Sequence, residues 1–143
     1  MSVSGEKDFG EDEELKRIKE RKLRELARKR SGRGAPGIVM LDGEGFDEFV
    51  SRSSVPVLVD FFAVWCPPCR MMEPVMERLA EEFAGKVAFG KVNVDENMEL
   101  AARFDVSAVP TFILFKGGKM LGRIVGARDY EDFKEILEEA IKS

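Results

Sequence analysis

The sequence contains no histidine and no glutamine, and its asparagines are Asn93 and Asn97 alone. Without His, the chain cannot by itself assemble a Ser–His or Cys–His nucleophile pair or offer an imidazole to a metal. Its two cysteines are too few for a disulfide-stapled secreted scaffold. No apolar run approaches the roughly 20 residues that cross a bilayer, so no membrane association is expected. Residues 1–30 lack the apolar stretch of a secretory signal, and the expected compartment is the cytoplasm. Charged residues, by contrast, make up 35% of the 143 positions. Abundant Glu, Lys and Arg with few amide side chains is the composition expected of a thermophile protein.

The charge is unevenly spread and divides the chain near residue 37. Residues 1–37 hold 11 Lys and Arg against 8 Asp and Glu, a net of +3. The remaining 12 and 19 fall in residues 38–143, a net of −7. Lys16 to Arg33 is strongly basic, and the stretch from Ser31 to Gly37 is rich in helix breakers and reads as a linker. Residues 11–30 have strong helix formers, with Leu15, Ile18, Leu23 and Leu26 on one stripe. Four aliphatic residues do not stabilise a lone helix in water by burial, so a partly formed helix is expected there. The division is therefore a charged extension over 1–37 and one folded domain over 38–143.

In the second part strand patterns alternate with helix patterns. Ile38–Leu41 reads as a short strand and Glu44–Ser51 as a helix carrying Phe46, Phe49 and Val50. Val55–Ala63 is a near-continuous apolar strand, the pattern of one buried on both faces. A helix follows with Met72, Val75, Met76, Leu79 and Phe83 at helical spacing. Then come a strand over Val87–Val94, a helix over Glu96–Phe104, and strands over Thr111–Phe115 and Met120–Val125. A Gly-Gly turn within Lys116–Lys119 joins the last two strands, and a helix over Tyr130–Ile141 closes the chain. This order implies an α/β sheet covered on both faces, made mixed by the final hairpin.

Both cysteines fall in one motif, Trp65–Cys69, which reads W-C-P-P-C between the buried strand and the next helix. At this spacing the two sulfurs can close a small disulfide ring within one helical turn. Cys66 stands at the helix start, where unpaired N–H groups and the positive end of the macrodipole favour a thiolate. Cys69, one turn deeper, should be shielded, and becomes reactive once Cys66 has formed a mixed disulfide.

W-C-P-P-C resembles the W-C-x-P-C site of the thioredoxin family, and the resemblance spans residues 38–143. It is carried also by Asp60 in the V-D-F run, Pro74 in the following helix, and Lys91 and Asp95 in K-x-N-x-D. Val109-Pro110-Thr111 and Gly126 of V-G-A fall at the family's spacings as well. The resemblance implies the thioredoxin fold, a central mixed β-sheet flanked by helices on both faces. Pro67 stands where glycine is commoner, and Phe62 where many members carry tryptophan. Pro67 offers no N–H to the Cys66 sulfur and stiffens the ring between the two sulfurs.

The resemblance implies that Cys66 attacks, Cys69 resolves, and Asp60 takes the Cys69 proton with Lys91 near it. Read without the resemblance, Asp60 is equally a structural carboxylate bonded to backbone, and Lys91 a solvated strand-end lysine. Burial of an unpaired carboxylate is costly, which weighs toward the base. The family's proline loop implies a cis bond before Pro110, facing the cysteines. The Val109 backbone would then pair with an extended substrate segment. Trp65, with Pro67 and Pro68 beside it, would give a partner protein an apolar contact. The expected activity is protein-disulfide reduction, with disulfide-containing proteins as substrates and a thioredoxin reductase or equivalent as electron donor. No cofactor or metal is expected, since the sulfurs carry the electrons. The alternatives are a disulfide oxidant or isomerase, or a non-catalytic assembly module. The basic arm over residues 16–33 suggests nucleic acid or an acidic surface as a further partner.

Overall fold

The computed structural model describes residues 37–143. The stripe from Leu15 to Leu26, the basic arm over 16–33 and most of the linker lie outside the described residues. Five strands form one sheet in the order β1-β3-β2-β4-β5. They are β1 (Ile38–Met40), β2 (Val57–Phe62), β3 (Ala88–Asn93), β4 (Thr111–Lys116) and β5 (Lys119–Val125). The helices are α1 (Gly45–Arg52), α2 (Pro67–Glu82), α3 (Met98–Arg103) and α4 (Tyr130–Lys142). Parallel pairing joins β1 to β3 and β3 to β2, while β4 runs antiparallel to both β2 and β5. This is the thioredoxin fold expected from the sequence, with the mixed sheet that the final hairpin implied.

Side chains alternate across the central strands and so fill two cores. Leu58, Phe89, Phe112 and Ile124 face α2 and α4, packing on Met72, Met76, Leu79, Phe133 and Leu137. Val57, Val59, Phe61, Val92, Ile113 and Phe115 face α1 and α3, against Phe46, Val50 and Leu100. Every residue of β2 is buried, as its unbroken apolar run requires when both faces are covered. Phe46, Phe104 and Phe115 form an aromatic knot on the second face, with ring centroids 5.1–5.6 Å apart.

Several elements start or stop inside their expected bounds for local reasons. The strand expected from Val55 begins at Val57, because the Ser53 hydroxyl folds back onto Val55 and Pro56 has no amide to pair. The helix expected from Glu96 begins at Met98. Its lead-in is a turn in which the Glu96 amide bonds the Asn93 carbonyl and the Asn93 side chain takes the Asp95 amide. Gly117 and Gly118 both have positive φ, 61° and 80°, as a two-residue hairpin turn of the primed type demands.

Candidate active site

The site lies at the carboxyl end of β2, where the chain enters α2. Cys66 is the N-cap of that helix in extended backbone, and Pro67 and Pro68 occupy its first two positions. Proline suits the first turn because its φ is preset and its missing N–H would be unpaired there anyway. The consequence is chemical. With two prolines in the first turn, the Cys69 amide is the first helical N–H able to reach back, and it donates to Cys66 Sγ at 3.2 Å. The sulfur thus fills the place that Ser or Asp oxygen fills at ordinary helix starts, at the positive end of the helix. Cys66 and Cys69 are joined as a disulfide, with Cα atoms 5.3 Å apart.

The exposures of the two cysteines are nearly equal, at 3% and 4%, so burial does not separate them as the sequence led one to expect. The cause is the wall around Cys66. Phe62 and Ala63 join the two cysteines in one small cluster, with Val94 and Val109 packed against it. What distinguishes the two is their surroundings. Cys66 Sγ lies 3.7 Å from the Val109 carbonyl, on the loop across the cleft, whereas Cys69 is held within the helix.

That loop is fixed from three directions. The Val109–Pro110 bond is cis. The Thr111 hydroxyl donates to the Ala108 carbonyl at 2.7 Å, and the Gly126 amide donates to the Pro110 carbonyl at 2.8 Å. Gly126 has φ 94°, a conformation glycine adopts without strain. Around the cleft, Val64, Trp65 and Met71 are exposed, by 61%, 63% and 71%, and Pro67 and Pro68 are exposed beside them. The Trp65 indole is held by its Nε1–H, which donates to Asp95 Oδ2 at 2.7 Å.

On β2, the strand that leads into the site, Asp60 is 1% exposed, and its Oδ1 has no hydrogen-bond partner. Burial pushes this carboxyl up to about 7, against a smaller opposing pull from Lys91 and a small further push from Glu73. Lys91 is its register partner on β3, so the two residues quoted separately in the sequence are neighbours across one ladder. Lys91 is itself buried, and its Nζ sits 4.4 Å from the Phe62 ring centroid and 4.0 Å from Glu73 Oε2. Sequence reasoning gave Glu73 no role and quoted Asp95 only as a family match. The available signal for Glu73 was its place four residues after Cys69, on the helix face that borders the buried stripe. Among the described residues, then, Cys66, Cys69 and Val109 pack together, with Trp65 and Pro110 next to them in the chain, and the Asp60–Lys91 pair adjoins this cluster through Phe62.

A redox-active sulfur pair at a helix start, against the loop of Val109 and after a strand that carries a buried carboxyl group, defines a thiol–disulfide oxidoreductase. The comparisons with known proteins make the class specific. The family model described as Thioredoxin matches residues 37–139, and the chain belongs to the thioredoxin family. It is 44% identical over 100 residues to a thioredoxin of Chlamydia pneumoniae, covering 70% of this chain and 95% of that protein. It is 47% identical over 87 residues to the thioredoxin of Alicyclobacillus acidocaldarius subsp. acidocaldarius, covering 61% of this chain and 83% of that protein. Among solved structures, a single-site mutant of a thioredoxin from Halobacterium salinarum NRC-1 superposes with a TM-score of 0.68 at 38% identity. That similarity covers 73% of this chain and 90% of the haloarchaeal one. Thioredoxin-type dithiol–disulfide exchange is accordingly the chemistry of Cys66 and Cys69. Among the described residues, no helix is long and apolar enough to cross a membrane.

Proposed function

We propose that the protein works as a protein-disulfide reductase in which Cys66 attacks and Cys69 resolves. The observation that carries the reading is the amide of Cys69 donating to Cys66 Sγ at the start of α2. A sulfur so placed is stabilised as an anion, and the anion is the nucleophile. In the reduced protein the Cys66 thiolate attacks one sulfur of a substrate disulfide, forming a mixed disulfide and expelling the other sulfur as a thiolate. Cys69 then gives its proton to Asp60, directly or through one water, and its thiolate attacks Cys66 Sγ. The Cys66–Cys69 bond forms, the second substrate thiol leaves, and two electrons have passed to the substrate. A reductase restores the dithiol by running the exchange in the opposite sense.

The other roles follow from position. The exposed surface of Val64, Trp65, Pro67 and Pro68 supplies an apolar landing for the substrate protein. An extended substrate segment pairs with the Val109 backbone beside Pro110. Lys91 tunes Asp60 from the neighbouring strand. Both cysteines of the chain are committed to this site, leaving none for a structural bridge, which suits a reducing compartment such as the cytoplasm.

The test separates the two sulfurs. Cys66→Ser abolishes reduction of a protein disulfide and yields no adduct. Cys69→Ser keeps a single attack and accumulates mixed disulfides with substrate, visible by mass spectrometry. Loss of activity in both variants with no adduct in the second would reject the assignment. A measured reduction potential near that of strong oxidants, roughly −120 mV, would instead indicate an oxidant.

A further inference from the structure

Two charged groups act on Asp60 from different sides. Lys91 flanks it on β3 and Phe112 flanks it on β4, in register on the side of the sheet that α2 covers. A cation held against a buried carboxylate keeps that carboxylate ionised and poor at accepting a proton, whereas a cation drawn away leaves it free to do so. Lys91 is drawn away. Within 4.0 Å its carboxylate partner is Glu73 of α2, while Asp60 Oδ1 has no hydrogen-bond partner. The Lys91 side chain is 11% exposed and that of Glu73 is 42% exposed, so the pull comes from the solvent side. Phe62 steadies the ammonium in this place, with the ring centroid 4.4 Å from Nζ.

We propose that Glu73 is a positioning residue for the exchange reaction: by pairing with Lys91 it holds the ammonium at the rim between α2 and β3, and so leaves Asp60 able to take the proton of the resolving cysteine. The inference rests on Asp60 being the base. No other charged group among the described residues competes closely. From α2 the facing groups are Glu73 and the cysteines, from β3 Lys91, and from β4 the uncharged Phe112. On α4 the titratable group turned inward is Tyr130, whose hydroxyl bonds Glu82 at the far end of α2. The negative charge of Glu73 acts on Asp60 in the same direction as the removal of Lys91.

The experiment follows the Asp60 carboxyl carbon by NMR across the pH range in the full-length oxidised protein, where neither cysteine titrates. The pH profile of the resolving step is measured in parallel on the reduced protein by single turnover. In the wild type the midpoint is expected at about 7. In Glu73→Gln it should fall by about one pH unit, the scale of a single neighbouring charge, and the acid limb of the resolving step should fall with it. In a Lys91→Met background, Glu73→Gln should move the midpoint by less than half as much. Glu73 is exposed enough for Gln and Ala to be tolerated, and Glu73→Ala serves as the second variant. An unchanged midpoint in both folded variants overturns the inference. So does an equal shift in the Lys91→Met background, because Glu73 would then act without the lysine. A shifted carboxyl with an unshifted kinetic limb rejects Asp60 as the base, which is a different failure.

Discussion

Asp60 is the residue where the demands of stability and chemistry diverge. Its folded-state value of about 7 lies well above the ordinary carboxylate value of 3.8. Between those values the folded protein holds a proton that the unfolded chain has released, so stability falls as pH rises through this window. The favourable state is fully present below the unfolded value and is lost as pH climbs past the folded one. Asp60→Asn removes the titration, and the variant should gain stability over wild type by roughly 2–4 kcal/mol at pH 8 and little at pH 4. Urea unfolding at the two pH values checks this, and an equal difference at both would show that the buried charge is not the cause. The same variant should slow the resolving step, with adducts persisting longer than in wild type near neutral pH. A protein that gains stability on losing a side chain has kept it for another reason.

At the scale of elements, caps decide where helices begin, and the two longest helices use different chemistry for the same task. In α4, Asp129 accepts the Asp132 amide at 3.0 Å, and Glu131 and Asp132 complement the first turn. In α2 the acceptor is the Cys66 sulfur. Asp129→Ala should therefore cost about 1 kcal/mol and lower the melting temperature by about 4 °C, leaving disulfide reduction unchanged, as calorimetry and a turnover assay would show. The elements were legible in the sequence where an unbroken apolar run marked a strand, as in β2, or a 3.6-residue period marked a helix, as in α2 and α4. Boundaries slipped where side chains bond the backbone locally, at Ser53 and at Asn93, because such bonds leave no periodic trace. Within the site, residues adjacent in sequence, from Trp65 to Cys69, were readable as a unit. Asp60 and Lys91 were readable as partners only through the family resemblance, since a β-ladder brings together positions 31 apart. Glu73 stayed hidden because its significance depends on a lysine that reaches it from another strand.

For the whole molecule, the question is what the charged extension contributes. The family match begins at residue 37 and the first described strand at Ile38, so residues 1–36 lie before the matched region, and we propose that they form a separate unit. That proposal rests on the sequence alone, on the helix-breaking glycines at positions 32, 34 and 37. Deleting residues 1–36 should therefore leave the melting temperature within a few degrees and disulfide reduction close to that of the full chain. Both forms should melt above about 65 °C if the Glu, Lys and Arg content reflects adaptation to heat. The contribution of the arm should instead appear in retention. Its 10 basic residues between Lys16 and Arg33 oppose a folded part of net −7. Full-length protein should bind an anionic column or nucleic acid at roughly 50 mM salt and release by about 200 mM, while the truncated form flows through. Differential scanning calorimetry, insulin reduction and salt-stepped elution on the two forms test the division together. A large fall in melting temperature on truncation would mean that the stripe from Leu15 to Leu26 packs on the folded part, and the chain would then be one unit rather than two.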